Sequence, residues 1–158
     1  MINDKLSATE DRAHCAGVRP MKEPLLDPTS LSCKTNPAKK TENIFGYELV
    51  LDLSGCDLAV MSSKKKLTAY VNKLCKLIKM KKFGKVQLPY FGLDKPHTKG
   101  YSLLQFIETS SITGHFSEYW RKAYINIFSC KKYDHKLAEK FTQEFFKAES
   151  IKSAFLTR

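Results

Sequence analysis

The chain has 158 residues and a mass of 18.1 kDa, the size of one ordinary domain. Hydrophobic residues at 42% and charged residues at 27% give a globular balance, which excludes a disordered chain. The net charge is +11, and no apolar run approaches the roughly 18–20 residues of a membrane span, which excludes a transmembrane helix.

Met1-Ile2-Asn3-Asp4-Lys5 leads into polar sequence, so no secretory signal is expected. The five cysteines (15, 33, 56, 75 and 130) show no CxxC spacing. That argues against a disulfide framework or a zinc site, and for reduced thiols in the cytoplasm. Residues 1–43 carry seven basic and six acidic side chains, a net +1, and the remainder twenty and ten, a net +10. Nine lysines lie between Lys64 and Lys85, and no acid lies between Asp57 and Asp94. Such a run reads either as a footprint for nucleic acid or as a solvated helix face. Only four of the 27 basic residues are arginine, the residue suited to bidentate phosphate and base contacts. No nucleic-acid-binding motif accompanies the lysines, so the solvated face is preferred and nucleic acid kept as the remote alternative.

Residues 1–43 hold four of the six prolines and no lasting apolar periodicity, which predicts an irregular N-terminal extension before a domain over 44–158. Phe45 to Leu53 alternates, with Tyr47, Leu49, Leu51 and Leu53 on one face, the pattern of a half-buried strand. Ser54-Gly55-Cys56-Asp57 is a turn. Ser62 or Ser63 can cap a helix running to about Lys82, with Leu67, Tyr70, Val71, Leu74 and Ile78 on its buried face and Gly84 just past its end. Lys85–Phe91 has the makings of a short strand. Tyr101–Glu108 and Ile112–Phe116 are strand material, and Lys122–Cys130 alternates more clearly through Ala123, Ile125 and Ile127. A second helix from Asp134 is expected to bury Leu137, Ala138, Phe141 and Phe145, and Ser150–Leu156 supplies a last strand. The order β-α-β-β-β-α-β predicts an α+β fold: a two-layer sandwich with helices on one face of a mostly antiparallel sheet.

Chemistry concentrates in few places. His14, His97 and His135 read as solvated surface groups. His115 ends the hydroxyl-rich segment Thr109-Ser110-Ser111-Ile112-Thr113-Gly114-His115, and Cys130 closes the strand Ile125-Asn126-Ile127-Phe128-Ser129. Serine, histidine and cysteine on neighbouring strand ends can serve as nucleophile, base and acid. The same residues also suit a turn and a buried filler. Trp120 can stack on a substrate or pack in a core or interface. No metal-ligand set is visible.

These segments, with Leu49-Val50-Leu51-Asp52-Leu53-Ser54-Gly55-Cys56-Asp57, resemble the short bacterial and archaeal S-adenosylmethionine decarboxylases, which use a pyruvoyl group. That family's processing signature, Glu-Ser-His-(Leu/Ile)-(Thr/Ser)-Ile-His, aligns without a gap on Thr109 to His115. Its spacing of a serine eight before the processed serine, a histidine five after and a cysteine twenty after falls on Ser102, Ser110, His115 and Cys130. The resemblance implies self-cleavage between Thr109 and Ser110, leaving a pyruvoyl group on residue 110 that forms a Schiff base with the amine of S-adenosylmethionine. It assigns the Ser110 hydroxyl to attack on the carbonyl of residue 109, and His115 to removal of the serine Cα proton. Ser102 is assigned to bond the rearranging carbonyl, and Cys130 to return a proton to the decarboxylated carbon. It further implies a cytoplasmic homodimer with its sites near the subunit interface, feeding spermidine and other polyamine synthesis. Departures accompany the match. The family's Glu and His beside the processed serine are Thr109 and Ser111 here, and its Ile is Gly114, expected to loosen the strand. Its aromatic and acidic substrate contacts meet Phe116 and Glu118 if the register slips by one. Recognition groups thus drift while chemistry groups stay. Alternatives are therefore a pyruvoyl-dependent ornithine or arginine decarboxylase, and a catalytically silent, uncut regulatory paralogue.

Overall fold

Strand β1 (Tyr47–Ser54) follows from its alternation: Leu49, Leu51 and Leu53 are fully buried, while Glu48, Val50 and Asp52 line the other face. The computed structural model describes residues 43–92 and 94–158, so all of the expected extension except Asn43 lies outside the described residues. After β1, Asp57 caps a one-turn helix, α1 (Leu58–Met61), its carboxylate accepting from the Ala59 N–H at 2.9 Å. No periodicity announces α1, since four residues are too few to carry one. Helix α2 (Lys64–Leu77) is capped by Ser63, and Leu67, Tyr70, Val71 and Leu74 are buried as their spacing demands. Lys64, Lys65, Lys66, Lys73 and Lys76 occupy its exposed face.

The helix ends at Leu77, five residues short of the expected Lys82. Lys79 takes a left-handed conformation (φ 54°), its N–H donates to the Lys76 carbonyl, and the Met80 N–H donates back to Cys75 at 2.8 Å. That reversal normally uses glycine. Here a lysine holds the position, and Gly84 lies instead within strand β2 (Lys82–Gln87).

Strand β3 (Tyr90–Phe91) follows, then β4 (Gly100–Ile107), β5 (Ser110–Ser117) and β6 (Lys122–Ser129). Helix α3 (His135–Phe146), capped by Asp134, leads to β7 (Ser150–Thr157). The sheet runs β2-β4-β5-β6-β1-β7, with β3 also on β4, and every pairing is antiparallel. Seven strands stand where the expected order counted five: the short strand expected over Lys85–Phe91 is divided into β2, which starts three residues earlier, and β3. Helices α2 and α3 bury their apolar sides in one core with Leu103, Ile112, Phe116, Ile125 and Ile127, leaving the opposite face of the sheet open. The fold is α+β, as expected.

Helix α3 presents a rotated face. Ala138, Thr142 and Phe146 are fully buried, Phe141 and Phe145 are half-buried against Tyr70, and Leu137 is exposed. A polar residue can take the core position because the Thr142 hydroxyl donates to the Ala138 carbonyl at 2.7 Å and lies 3.0 Å from the Tyr70 hydroxyl.

Candidate active site

Register decides which of the candidate groups meet. Strand β5 pairs with β4 so that His115 faces Ser102, and with β6 so that Ser110 faces Ser129, one residue before Cys130. The Ser102 Oγ and His115 Nδ1 are 2.9 Å apart, and the ring is exposed. Occupying Nδ1 leaves Nε2 as the nitrogen open to a further partner.

The second group gathers around the turn before β5. The Ser110 hydroxyl bonds the Thr109 carbonyl, its own preceding peptide, and accepts from the Cys130 N–H at 3.2 Å. The Cys130 thiol lies 3.7 Å from that hydroxyl and donates to the Thr109 carbonyl at 3.2 Å. A nucleophilic oxygen, the carbonyl it would attack, and two donors therefore share one corner. Cys130 is half-buried, whereas burial pushes the Cys56 and Cys75 thiols up to about 11.

The four aligned residues thus form two pairs at opposite ends of β5. Ser110 and His115 are five extended residues apart, about 16 Å, and the odd offset turns them to opposite faces of the sheet. Within one chain His115 does not reach Ser110.

Two glycines shape the His115 end. A Cβ on Gly100 (φ 152°) would meet the Phe116 carbonyl oxygen at 1.7 Å, so only glycine lets β4 start this close to β5. Gly114 does not loosen β5 as expected: its ladder is continuous on both sides, and the Phe116 ring lies where the missing side chain would project. The Phe116 ring stacks on Phe146 (5.4 Å between centroids) and is 2% exposed, while the residue borders the cavity beside His115. The Glu118 carboxylate accepts from the Tyr90 hydroxyl at 3.0 Å.

Two cavities flank the pairs. One of about 300 Å³ lies beside His115, lined by His97, Tyr101, Trp120 and Tyr124. Trp120 is half exposed and 5.8 Å from the His97 ring. The other, of about 430 Å³, lies beside Ser110, lined by Phe83, Phe106, Ile107, Glu108 and Thr109. Sequence reasoning missed Phe83, Phe106 and Tyr124. Their only signal is a large aromatic at an outward-facing strand position. Among the described residues there is no cluster of three metal-ligating side chains, and no helix is long and apolar enough to cross a membrane.

A family model described as S-adenosylmethionine decarboxylase matches residues 47–158. The crystal structure of the adenosylmethionine decarboxylase from Aquifex aeolicus VF5 matches with a TM-score of 0.61. It covers 73% of this chain and 91% of that one at 15% identity, so the likeness concerns the fold. No curated protein matches.

Proposed function

From the premise that the chain belongs to the S-adenosylmethionine decarboxylase family, we propose that it is a self-processing, pyruvoyl-dependent carboxy-lyase acting on S-adenosylmethionine. Its product would supply aminopropyl groups for spermidine and other polyamines. The contact of the Ser110 hydroxyl with the Thr109 carbonyl, beside two Cys130 donors, carries this reading.

In the processing step the Ser110 oxygen attacks the Thr109 carbonyl carbon, and the peptide C–N bond breaks as an ester forms. The Cys130 thiol donates to the oxygen that gains charge. A base then removes the Ser110 Cα proton and the ester carboxylate leaves, ending chain 1–109. Water hydrolyses the resulting enamine, releasing ammonia and leaving a pyruvoyl-capped chain 110–158. The substitutions at Thr109 and Ser111 do not remove the attacked group, which is a main-chain carbonyl.

The base is His115, supplied by a second copy of the chain because its own Ser110 is about 16 Å away. A homodimer in which the Ser102–His115 end of one sheet lies over the Ser110–Cys130 end of the other completes both sites. A pyruvoyl carbonyl made from Ser110 supplies the electron sink that decarboxylation requires. Beside it, Cys130 Sγ is the proton source for the decarboxylated carbon. A half-exposed working thiol suits the reducing cytoplasm.

Denaturing intact-mass spectrometry of freshly purified protein tests the reading. The expected result is two chains, 1–109 and a ketone-capped 110–158, with Ser110→Ala remaining whole. A single uncut mass, unchanged after long incubation, overturns it in favour of a silent paralogue.

A further inference from the structure

We propose that the helical layer docks an acidic segment of another protein, with an aliphatic anchor residue, along the lysine ridge of α2 and into a cavity between α2 and α3. Lys65, Lys66, Lys73 and Lys76 fall within about 100° of one another around the α2 axis. Lys64 precedes them, and the row from Lys64 to Lys76 is about 18 Å long. At its end, Lys79, Lys131 and Lys132 surround Leu77, Ile78 and Leu137 in a cavity of about 350 Å³. The turn beyond α2 and the loop before α3 bring these lysines together, a junction that no sequence pattern announces.

The charge is uncompensated. These lysines are all exposed, and among the described residues none of them stands in an ion pair. By contrast, Lys81, Lys136, Lys140 and Lys147 each have a carboxylate within 4.0 Å. Asp134 is the one acid in the cavity lining, and its carboxylate already accepts from the Leu137 N–H at 2.9 Å as the cap of α3. Lys79 stands in a left-handed turn (φ 54°) where glycine would be unstrained and would bring no charge to the cavity. Like charges gathered without counter-charges repel one another, and an anionic partner relieves that repulsion.

The lining selects among polyanions. Leu137 is 41% exposed at the cavity and Leu77 is half-buried, apolar surface that an aliphatic side chain covers and a phosphodiester does not. Among the described residues, neither α2 nor α3 exposes an aromatic ring, which removes the stacking that single-stranded nucleic acid uses. Lysine throughout the ridge also forgoes the bidentate phosphate contacts of arginine. One exposed leucine on these two helices is too little to insert into a bilayer. The partner class is therefore an acidic peptide segment with a leucine-like anchor, and its docking leaves the open face of the sheet uncovered.

Fluorescence anisotropy of a labelled peptide, Asp-Glu-Asp-Leu-Glu-Asp-Glu, titrated with the purified full chain at physiological salt provides the test. Lys131→Glu combined with Lys132→Glu should weaken binding about tenfold or more, and so should Lys65→Glu combined with Lys76→Glu. Lys95→Glu combined with Lys152→Glu makes the same change in net charge at other exposed positions and should weaken it less than about threefold. Glycine in place of the leucine of the peptide, and Leu137→Ser in the protein, should each weaken binding about tenfold. Variants that retain the circular dichroism of the unsubstituted chain are the ones compared. Equal losses in the Lys95/Lys152 control and the ridge variants, indifference to the leucine, or no binding by the unsubstituted chain would each overturn the proposal. Tighter binding of an oligouridylate or of phosphatidylserine vesicles than of the peptide would overturn it as well.

Discussion

Burial sorts the cysteines more sharply than their sequence neighbours do. Cys56 and Cys75 are packed in the core, and desolvation of the thiolate pushes both thiols up to about 11. Cys130 sits at the end of β6, half-buried beside Ser110. Native-state alkylation at pH 8 should therefore label Cys130 while sparing Cys56 and Cys75 until denaturant is added, as peptide mass mapping would report. Equal labelling of Cys75 and Cys130 in the folded protein would contradict the packing. At this scale the sequence is legible where spacing carries the information. The offsets of eight, five and twenty residues come from a family resemblance, and strand pairing turns them into two separate contacts, Ser102 with His115 and Ser110 with Cys130. Phe116 was not legible in this way. Whether its ring is free depends on Phe146, thirty residues away on α3, which no local pattern reports.

The contact between α2 and α3 turns on one buried polar pair. Tyr70 is fully buried, and its hydroxyl has Thr142 as partner at 3.0 Å, while Thr142 also donates to the Ala138 carbonyl. Thr142→Val strands the Tyr70 hydroxyl in the core and should cost about 1–3 kcal/mol. Tyr70→Phe should cost less, because Thr142 keeps its bond to Ala138. The double substitution should be more stable than Thr142→Val alone, since neither group is then left unpaired. Urea unfolding midpoints at constant slope give all three values. An equal loss for both single changes would show that ring packing, not the hydroxyl, governs the contact. The same pair explains why the face of α3 was misread from sequence: an apolar count favours Leu137 and Phe145 over a threonine, and only tertiary bonding makes Thr142 a core residue. Helix stops fail for a related reason. Lys79 and Lys147 both take left-handed conformations where glycine is the usual signal, so the end of α2 left no mark in the composition. Strands β1 and β6 carry alternation against a one-sided core and appear where the pattern puts them, whereas β5 begins two residues before the expected Ile112.

Across the whole molecule, the antiparallel sheet fixes what a single copy can accomplish. The pleat places Ser110 and His115 on opposite faces, and the rise along β5 holds them about 16 Å apart. No side-chain rotation closes that distance. Cleavage by the proposed route therefore needs two copies, and the requirement can be read from mixtures of variants. A Ser110→Ala chain has its histidine but no nucleophile, and a His115→Ala chain has the nucleophile but no base. Each alone should remain uncut. Co-expressed, they should form mixed dimers in which His115 of the first chain serves Ser110 of the second. The His115→Ala chain alone would then be cleaved, to at most about half of that chain, or a quarter of all chains, if subunits pair at random. Tagging the two chains with different masses makes the assignment unambiguous in an intact-mass spectrum. Cleavage of His115→Ala expressed alone would show that another group removes the Cα proton. An uncut mixture, alongside normal cleavage of the unsubstituted chain, would mean that His115 acts within its own subunit after a rearrangement of β5. The transfer of function between chains follows from register and rise alone, so the outcome tests the sheet as directly as it tests the chemistry.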